Sequence, residues 1–394
     1  MVFPIWPPSR YLARIADQSP EAVLDAIKDI PDNGNPRIYE DLVDATLKLP
    51  ADLAVALVPR SLIWSRSDYQ LRLPSRLADL AVYLSVNGFP EAGLRLFREL
   101  LTIHPDPRTE EITPEESHWF VPRPRPGFDE WIYKEIVGKQ LVDVLDATGL
   151  EGFNLASELL ESYVRLTIRD PSNQESEDLS FIWRPAIEDH EQNHRSELGD
   201  VLVVAVRDGA NSLINETPEQ ATNLIREIES HPWTVFQRIS FHLMRMNPEL
   251  FRNEIAERLE DKKYVYSASV FHEYWLLARE QLGNLTPEKR TVFLGNLDAG
   301  PPPFLLADMD DPEHSAKIWK WRRLSVLGGD LLDSLQIEYE QLNQEFGHIE
   351  HPEFLAYSSG VMTGPNSPLT RDELIGMGPN GFHQQQAAQL SSRR

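Results

Sequence analysis

The sequence predicts an all-α fold of stacked antiparallel helix pairs, and three observations carry that expectation. From Thr217 to Asp261 the chain reads as three helices in direct succession. Ala221, Leu224, Ile225 and Ile228 fall at i, i+3, i+4 and i+7, one face of a helix, and Phe251, Ile255 and Leu259 repeat every four residues. The helix between them is apolar on two sides: Val235, Ile239, Leu243 and Met246 on one, Trp233, Phe241 and Met244 toward the other. Such a helix must be covered from two sides, as in a stacked array. A helix-opening signal also recurs. Pro-Glu occurs eight times, after Ser19, Phe89, Thr113, Thr217, Asn247, Thr286, Asp311 and His351. The steps from 217 to 247 to 286 are 30 and 39 residues, the length of a helix pair.

Each part of that signal has a cause. The oxygen-bearing residue accepts an orphan backbone N–H, proline has no N–H to lose at the first helical position, and the acid meets the positive end of the helix dipole. Gln220 completes a capping box with Thr217, and Glu116 does so with Thr113.

Taken in order, Ser9–Asp17 and Ser19–Ile30 read as a helix pair, followed by a turn at Asp32–Pro36. Arg37–Leu49 is a third helix, with Ile38, Leu42, Ala45 and Leu49 aligned, and Ala51–Val58 a short fourth. Leu77–Val86 and Glu91–Ile103 form another pair, divided by Asn87-Gly88. The proline-rich stretch from Pro105 to Pro126 predicts an extended connector, in which Arg123–Pro126 could serve as a polyproline ligand. Helices resume at Phe128–Ala147 and Leu155–Ile168. A polar loop follows at Arg169–Pro185, with Phe181, Ile182 and Trp183 tucked back onto the helices. A further helix ends near Asn215, burying Leu198, Val201, Leu202, Ala205 and Leu213. Beyond Asp261 come Val265–Leu282 and Pro287–Leu297, a break at Gly300–Pro303, and one long helix over Pro312–Phe346 that Gly328-Gly329 can kink. The array therefore occupies 1–357, with irregular loops near 104–126, 169–186 and 298–311, and a poorly ordered tail occupies 358–394.

Composition bounds the function. With 41% hydrophobic residues the 394-residue chain can bury a large core. Lys and Arg total 38 against 62 Asp and Glu, a formal charge of −24, which argues against nucleic acid or an anionic membrane as a partner. There is no cysteine, so disulfides, thiolate metal sites and a cysteine nucleophile are excluded, and a cytoplasmic setting fits. No apolar run reaches the length of a membrane span, and the N-terminus lacks the apolar core of a signal peptide.

Four constellations could carry chemistry. His190-Glu191-Gln192-Asn193-His194 is a literal H-E-x-x-H. On a helix its histidines share one face and could bind zinc, with Glu191 activating a water, the pattern of a zinc-dependent hydrolase. The charged flanks Glu188, Asp189 and Arg195 and the unassigned third ligand, for which Glu216 is the nearest guess, favour a solvated helix start instead. Gly376–Gly381 matches G-x-G-x-x-G in letters, with no strand before it and Pro379 inside, so it reads as tail and no bound cofactor is expected. Lys317, Trp319, Lys320, Arg322 and Arg323 make a basic, aromatic cluster that is either paired with neighbouring acids or a docking patch for an acidic partner or a nucleic-acid backbone. His104, His118, His242 and His272 have no ligand spacing.

The degenerate helix pairs with Pro-Glu openings resemble HEAT-type α-solenoids. Trp6–Ile15, Ser19–Val23, Asn35–Pro50 and Gly364–Leu369 are similar in style to the helical-repeat parts of long, uncharacterised bacterial proteins. The likeness covers most of the chain and rests on no diagnostic motif. It implies a non-catalytic scaffold for protein–protein interaction, with another protein as partner, and carries no catalytic residue over. It also implies that the chain is a fragment or sensing arm of a larger system.

Overall fold

Proline sets where many of the helices begin. In the computed structural model, which describes residues 3–67, 72–110, 122–168, 178–193, 198–328, 331 and 333–357, it occupies the opening positions of α1 (Pro7–Ile15), α2 (Pro20–Asp29) and α3 (Pro36–Thr46). After them come α4 (Ala51–Ala54), α5 (Val58–Trp64), α6 (Leu73–Val86) and α7 (Pro90–Leu100). A short ladder pairs β1 (Ile103–His104) with β2 (Arg125–Pro126), antiparallel. Next are α8 (Glu130–Ile136), a π-helical turn over Val137–Leu141, α9 (Val142–Thr148), α10 (Leu150–Thr167) and α11 (Ser180–Trp183). The series continues with α12 (Leu198–Glu216), α13 (Ala221–Ser230), α14 (Thr234–Met246), α15 (Arg252–Glu260), α16 (Lys262–Tyr266) and α17 (Phe271–Gln281). It ends with α18 (Pro287–Asp298), α19 (Pro312–Leu327) and α20 (Asp333–Phe346). The described fold is all-α apart from that one two-residue ladder.

Helices pack on neighbours one to three elements away. α1 lies on α3, α3 on α6, α6 on α7 and α9, α10 on α12, α12 on α14, α14 on α17, α17 on α19 and α19 on α20. The two-sided pattern of the 217–261 region explains the middle of this series. On α14, Val235, Phe236, Ile239, Phe241, Leu243 and Met244 are all buried, against α12, α13 and α17. Burying each such side chain is worth roughly 1.5–3 kcal/mol, so this one helix anchors three neighbours. Met246, placed by its spacing on the apolar face, is instead 58% exposed, because the helix ends there.

The caps follow the predicted chemistry at some openings and not at others. Thr286 accepts from the Lys289 N–H and Asp311 from the His314 N–H. Thr217 does not form its capping box: its hydroxyl donates to the Leu213 carbonyl one turn back, at 3.0 Å. Asn247-Pro248 and His351-Pro352 start turns rather than helices. The Thr113 box lies outside the described residues.

Two further differences have clear causes. Pro312–Phe346 is not one helix. Gly328 adopts φ +67°, a conformation only glycine takes readily, and α20 folds back along α19. Trp321 Nε1 then donates to Asn343 Oδ1 at 2.9 Å, and Phe346 lies 5.2 Å from the Trp321 ring. The α5 helix carries no Pro-Glu signal, yet Arg60 within it donates to the carbonyls of Ile27 and Lys28, both at 2.7 Å, closing the C-terminus of α2. The 358–394 stretch, including Gly376–Gly381, falls outside the described residues.

Candidate functional site

The segment Asp178–Asn193, between α10 and α12, is held by an unusual number of buried charged groups. At its start, Asp178 accepts from the Ser180 N–H and also from the Val235 N–H at 2.8 Å, so one carboxylate caps the first turns of both α11 and α14. Arg238, on the apolar helix α14, reaches across to donate to Ser180 Oγ and to the carbonyls of Arg184 and Pro185. Glu273 of α17 faces Arg238 through two bonds of 2.8 Å, Nε to Oε2 and Nη2 to Oε1. Both side chains are 1% exposed.

The peptide of Ile187 sits at the centre. Its N–H donates to Glu273 Oε1 at 2.9 Å, while its carbonyl accepts from Arg184 at 3.1 Å and from Arg207 at 3.0 Å. Asn193, buried, accepts from the Ala186 N–H and donates to the Glu188 carbonyl at 2.7 Å. A loop with so many backbone groups removed from water folds only because each is answered by a side chain.

Glu188 faces α14 and α17. His272 Nε2 lies 3.2 Å from Oε1, and Arg245 Nη2 lies 3.2 Å from Oε2. His242 Nδ1 stands 3.5 Å from Oε2, so two histidines and an arginine surround the carboxylate. Burial alone would push the Glu188 carboxyl up; the two histidines and Arg245 outweigh it and hold it well below the usual carboxylate range.

On the other side of the segment lies a cavity of about 390 Å³ between α12 and the stretch running from the π-turn into α9. Val137, Val142, Leu145, Val201 and Val204 give it an apolar wall, while Asp146, Asp189, Asp200 and Asp208 line its polar side. Arg184 bridges the two regions: it lines the cavity and lies 3.5 Å from Asp200. Burial pushes its guanidinium down from the ordinary arginine value; Asp200 opposes this and Arg207 adds to it. Arg207 is bound to Asp208 at 2.7 Å and lies 3.5 Å from Asp189; these carboxylates outweigh its burial and raise it.

The predicted site residues are placed as follows. His190 and Glu191 lie in a turn, not on a helix; the next helix begins at Leu198. His190 Nδ1 accepts from the Gln192 N–H at 3.1 Å, and its ring sits 4.8 Å from Phe354. The one-turn helical spacing that the zinc motif requires is therefore not formed at His190, and His194 lies outside the described residues. Among the described residues no group of three or more His, Asp or Glu could hold a metal ion.

The basic cluster is largely consumed within the chain. Lys317 pairs with Glu345, and Lys320 with Asp298 and Glu338. Arg322 donates to the Leu355 carbonyl at 2.7 Å. Arg323 is 4% exposed, so it is no part of a surface patch: it stacks 3.8 Å over Trp319, near Phe271 and Trp275, and donates to the Val265 carbonyl. Ile182, expected to tuck back, is 60% exposed, whereas Trp183 packs edge-on against Tyr163.

Apolar periodicity does not single out Arg184, Asp200, Arg207, Arg238 or Glu273. One signal was present: Arg238 and Glu273 stand among core positions of apolar helices, where a charge is found only if paired. No described helix is long and apolar enough to cross a membrane. No family model, no curated protein and no solved structure matches this chain.

Proposed function

We propose that this chain is a non-catalytic helical-repeat scaffold, of the stacked HEAT-like kind, that binds another protein. The neighbour-to-neighbour packing from α1 to α20 supports the stacked arrangement, since a repeat array buries each helix pair on the next and leaves long faces for partners. The observation that carries the binding role is the loop between α18 and α19. After three prolines, Phe304 is 73% exposed, Leu305 36% and Met309 51%, three large apolar side chains within six residues. Apolar groups clustered in this way on a surface mark interaction sites. Asp308 and Asp310 flank them, both exposed. The complementary partner surface is an apolar pocket rimmed by basic residues.

The test places a photo-crosslinking residue at position 304 in the producing cell and, as a control, at Val86, which is also exposed. A discrete adduct from 304 alone is identified by mass spectrometry and purified. The double variant Phe304→Ser, Met309→Ser then weakens its binding by about tenfold or more, with the unfolding midpoint unchanged. The absence of any adduct specific to 304, or equal binding by the double variant, overturns the reading.

A further inference from the structure

His272, on α17, is 6% exposed and has an oxygen against each of its ring nitrogens. Nε2 lies 3.2 Å from Glu188 Oε1, in the Asp178–Asn193 segment, and Nδ1 lies 3.2 Å from the Glu353 carbonyl. Neither oxygen has a proton to give. A carbonyl never does, and the Glu188 carboxyl is held well below its ordinary range, so it stays ionised at neutral pH. A neutral imidazole carries one N–H and one bare lone pair, so one of the two contacts would set lone pair against lone pair. Only the imidazolium donates at both nitrogens.

The stretch Glu353–Leu355 is fastened to the fold largely from outside itself. Within it, the Phe354 N–H returns to the His351 carbonyl at 3.2 Å. The Phe354 ring stacks on His272 with centroids 4.1 Å apart and meets His190 at 4.8 Å. An aromatic face attracts a cation, so charge on His272 strengthens that stack as well. Arg322 of α19 donates to the Leu355 carbonyl at 2.7 Å. The other charged and titratable groups around His272 face elsewhere. From α14, His242 and Arg245 approach the second oxygen of Glu188, and Glu280 stands 3.7 Å from Arg245. Glu273, next to His272 on α17, is turned to Arg238. The Glu353 carboxylate lies 3.7 Å from His351, and the His190 ring is 6.5 Å from that of His272.

We propose that His272 is a proton-operated clasp that fastens Glu353–Leu355 to the Asp178–Asn193 segment. With the ring protonated, both hydrogen bonds form and Phe354 lies against a cation. When the proton leaves, one bond is lost and the stack weakens, while Arg322 still holds Leu355. By linkage, the fastening is complete on the acid side of the His272 titration and is lost on the alkaline side. The proton therefore sets how firmly this stretch of the chain is held.

Hydrogen–deuterium exchange of the full chain, read by mass spectrometry on peptides covering 351–357, tests this at about pH 5.5 and about pH 8, either side of the ordinary histidine value. An unstructured peptide of the same sequence corrects for the intrinsic effect of pH on exchange. Protection falls by about tenfold at the higher pH, the weight of one charge-assisted hydrogen bond, while peptides from α6 hold theirs. His272→Gln cannot donate to both oxygens, and its protection is the same at the two pH values. Glu188→Gln removes the anion that the ring proton answers and flattens the profile too, so the result does not hang on one variant folding. His242→Gln leaves the clasp in place and keeps the wild-type dependence. Wild-type protection that is independent of pH, or a dependence that survives in His272→Gln, overturns the proposal.

Discussion

Arg238 and Glu273 form a two-pronged ion pair at the interface of α14 and α17, with both side chains only 1% exposed. They also hold a third element, because Arg238 binds the carbonyls of Arg184 and Pro185 and Glu273 binds the Ile187 N–H. The pair thus fixes two helices and the Asp178–Asn193 segment at once. Removing one partner strands the other charge without water. Glu273→Ala is expected to destabilise the protein by about 3–5 kcal/mol, and Glu273→Gln by less, since the amide oxygen still accepts. The double variant Arg238→Met, Glu273→Leu recovers a substantial part of that loss. Urea unfolding of the single and double variants forms the cycle that measures it, and additive losses would refute the coupling.

Glu188 supplies a pH-dependent contribution. Its folded-state carboxyl is held below the ordinary value of 4.5, so the unfolded chain binds its proton more readily. The stabilisation is complete above that ordinary value and is lost as pH falls beneath it. Glu188→Gln should cost roughly 1–3 kcal/mol at neutral pH, because His242, His272 and Arg245 lose the negative charge they face. The gap between wild type and variant should close as the solution is acidified through the carboxylate range. Unfolding midpoints measured down an acid series follow this directly; a gap independent of pH would remove Glu188 from the account.

What the sequence made legible was the apolar half of the fold. The i, i+3, i+4 spacing placed Leu224, Ile225 and Ile228 in the core, and the two-sided pattern of α14 anticipated its burial between neighbours. Proline openings located the starts of α2, α7, α18 and α19. Periodicity ranks apolar positions, however, and has nothing to say about which charges meet. Arg238 and Glu273 are 35 residues apart, and their encounter depends on the register of two packed helices. The turn at His190 was hidden for a related reason. The letters H-E-x-x-H fit a helix, but Asn193 bonds back to Ala186 and Glu188 and so competes with helix formation. The reversal at Gly328 needed a positive φ that an apolar stripe running across it cannot reveal.

Arg323 separates a structural arginine from a surface one. Burial pushes its guanidinium down to about 9, the charge of Arg322 adds, and Tyr274 opposes; it remains protonated at neutral pH. Its plane lies over Trp319 at 3.8 Å while Nε donates to Val265. Lysine cannot stack and donate in this way. Arg323→Lys should therefore cost about 2 kcal/mol or more. Arg322→Lys, at a half-buried site with one carbonyl partner, should change stability by only a few tenths. Thermal unfolding read by tryptophan emission compares them. Equal effects would mean that the aromatic cage contributes nothing.

Two glycine substitutions should act in opposite directions, for reasons visible in the packing. α6 and α7 cross closely at Gly93: a Cβ there would stand 2.5 Å from the Ala81 carbonyl oxygen and 2.1 Å from Ser85 Oγ. Ser85 can rotate, but the backbone oxygen cannot yield without moving α6. Gly93→Ala is expected to destabilise by about 1–3 kcal/mol. Gly295 lies on the exposed face of α18, where a Cβ meets nothing within 4 Å. Alanine there removes backbone freedom from the unfolded chain without a clash, so Gly295→Ala should stabilise by roughly 0.5–1 kcal/mol. Denaturant midpoints of the two variants against wild type provide the measurement. A neutral Gly93→Ala would show that the α6–α7 crossing is looser than its geometry implies, because only a shift of the α6 backbone could make room for the added methyl.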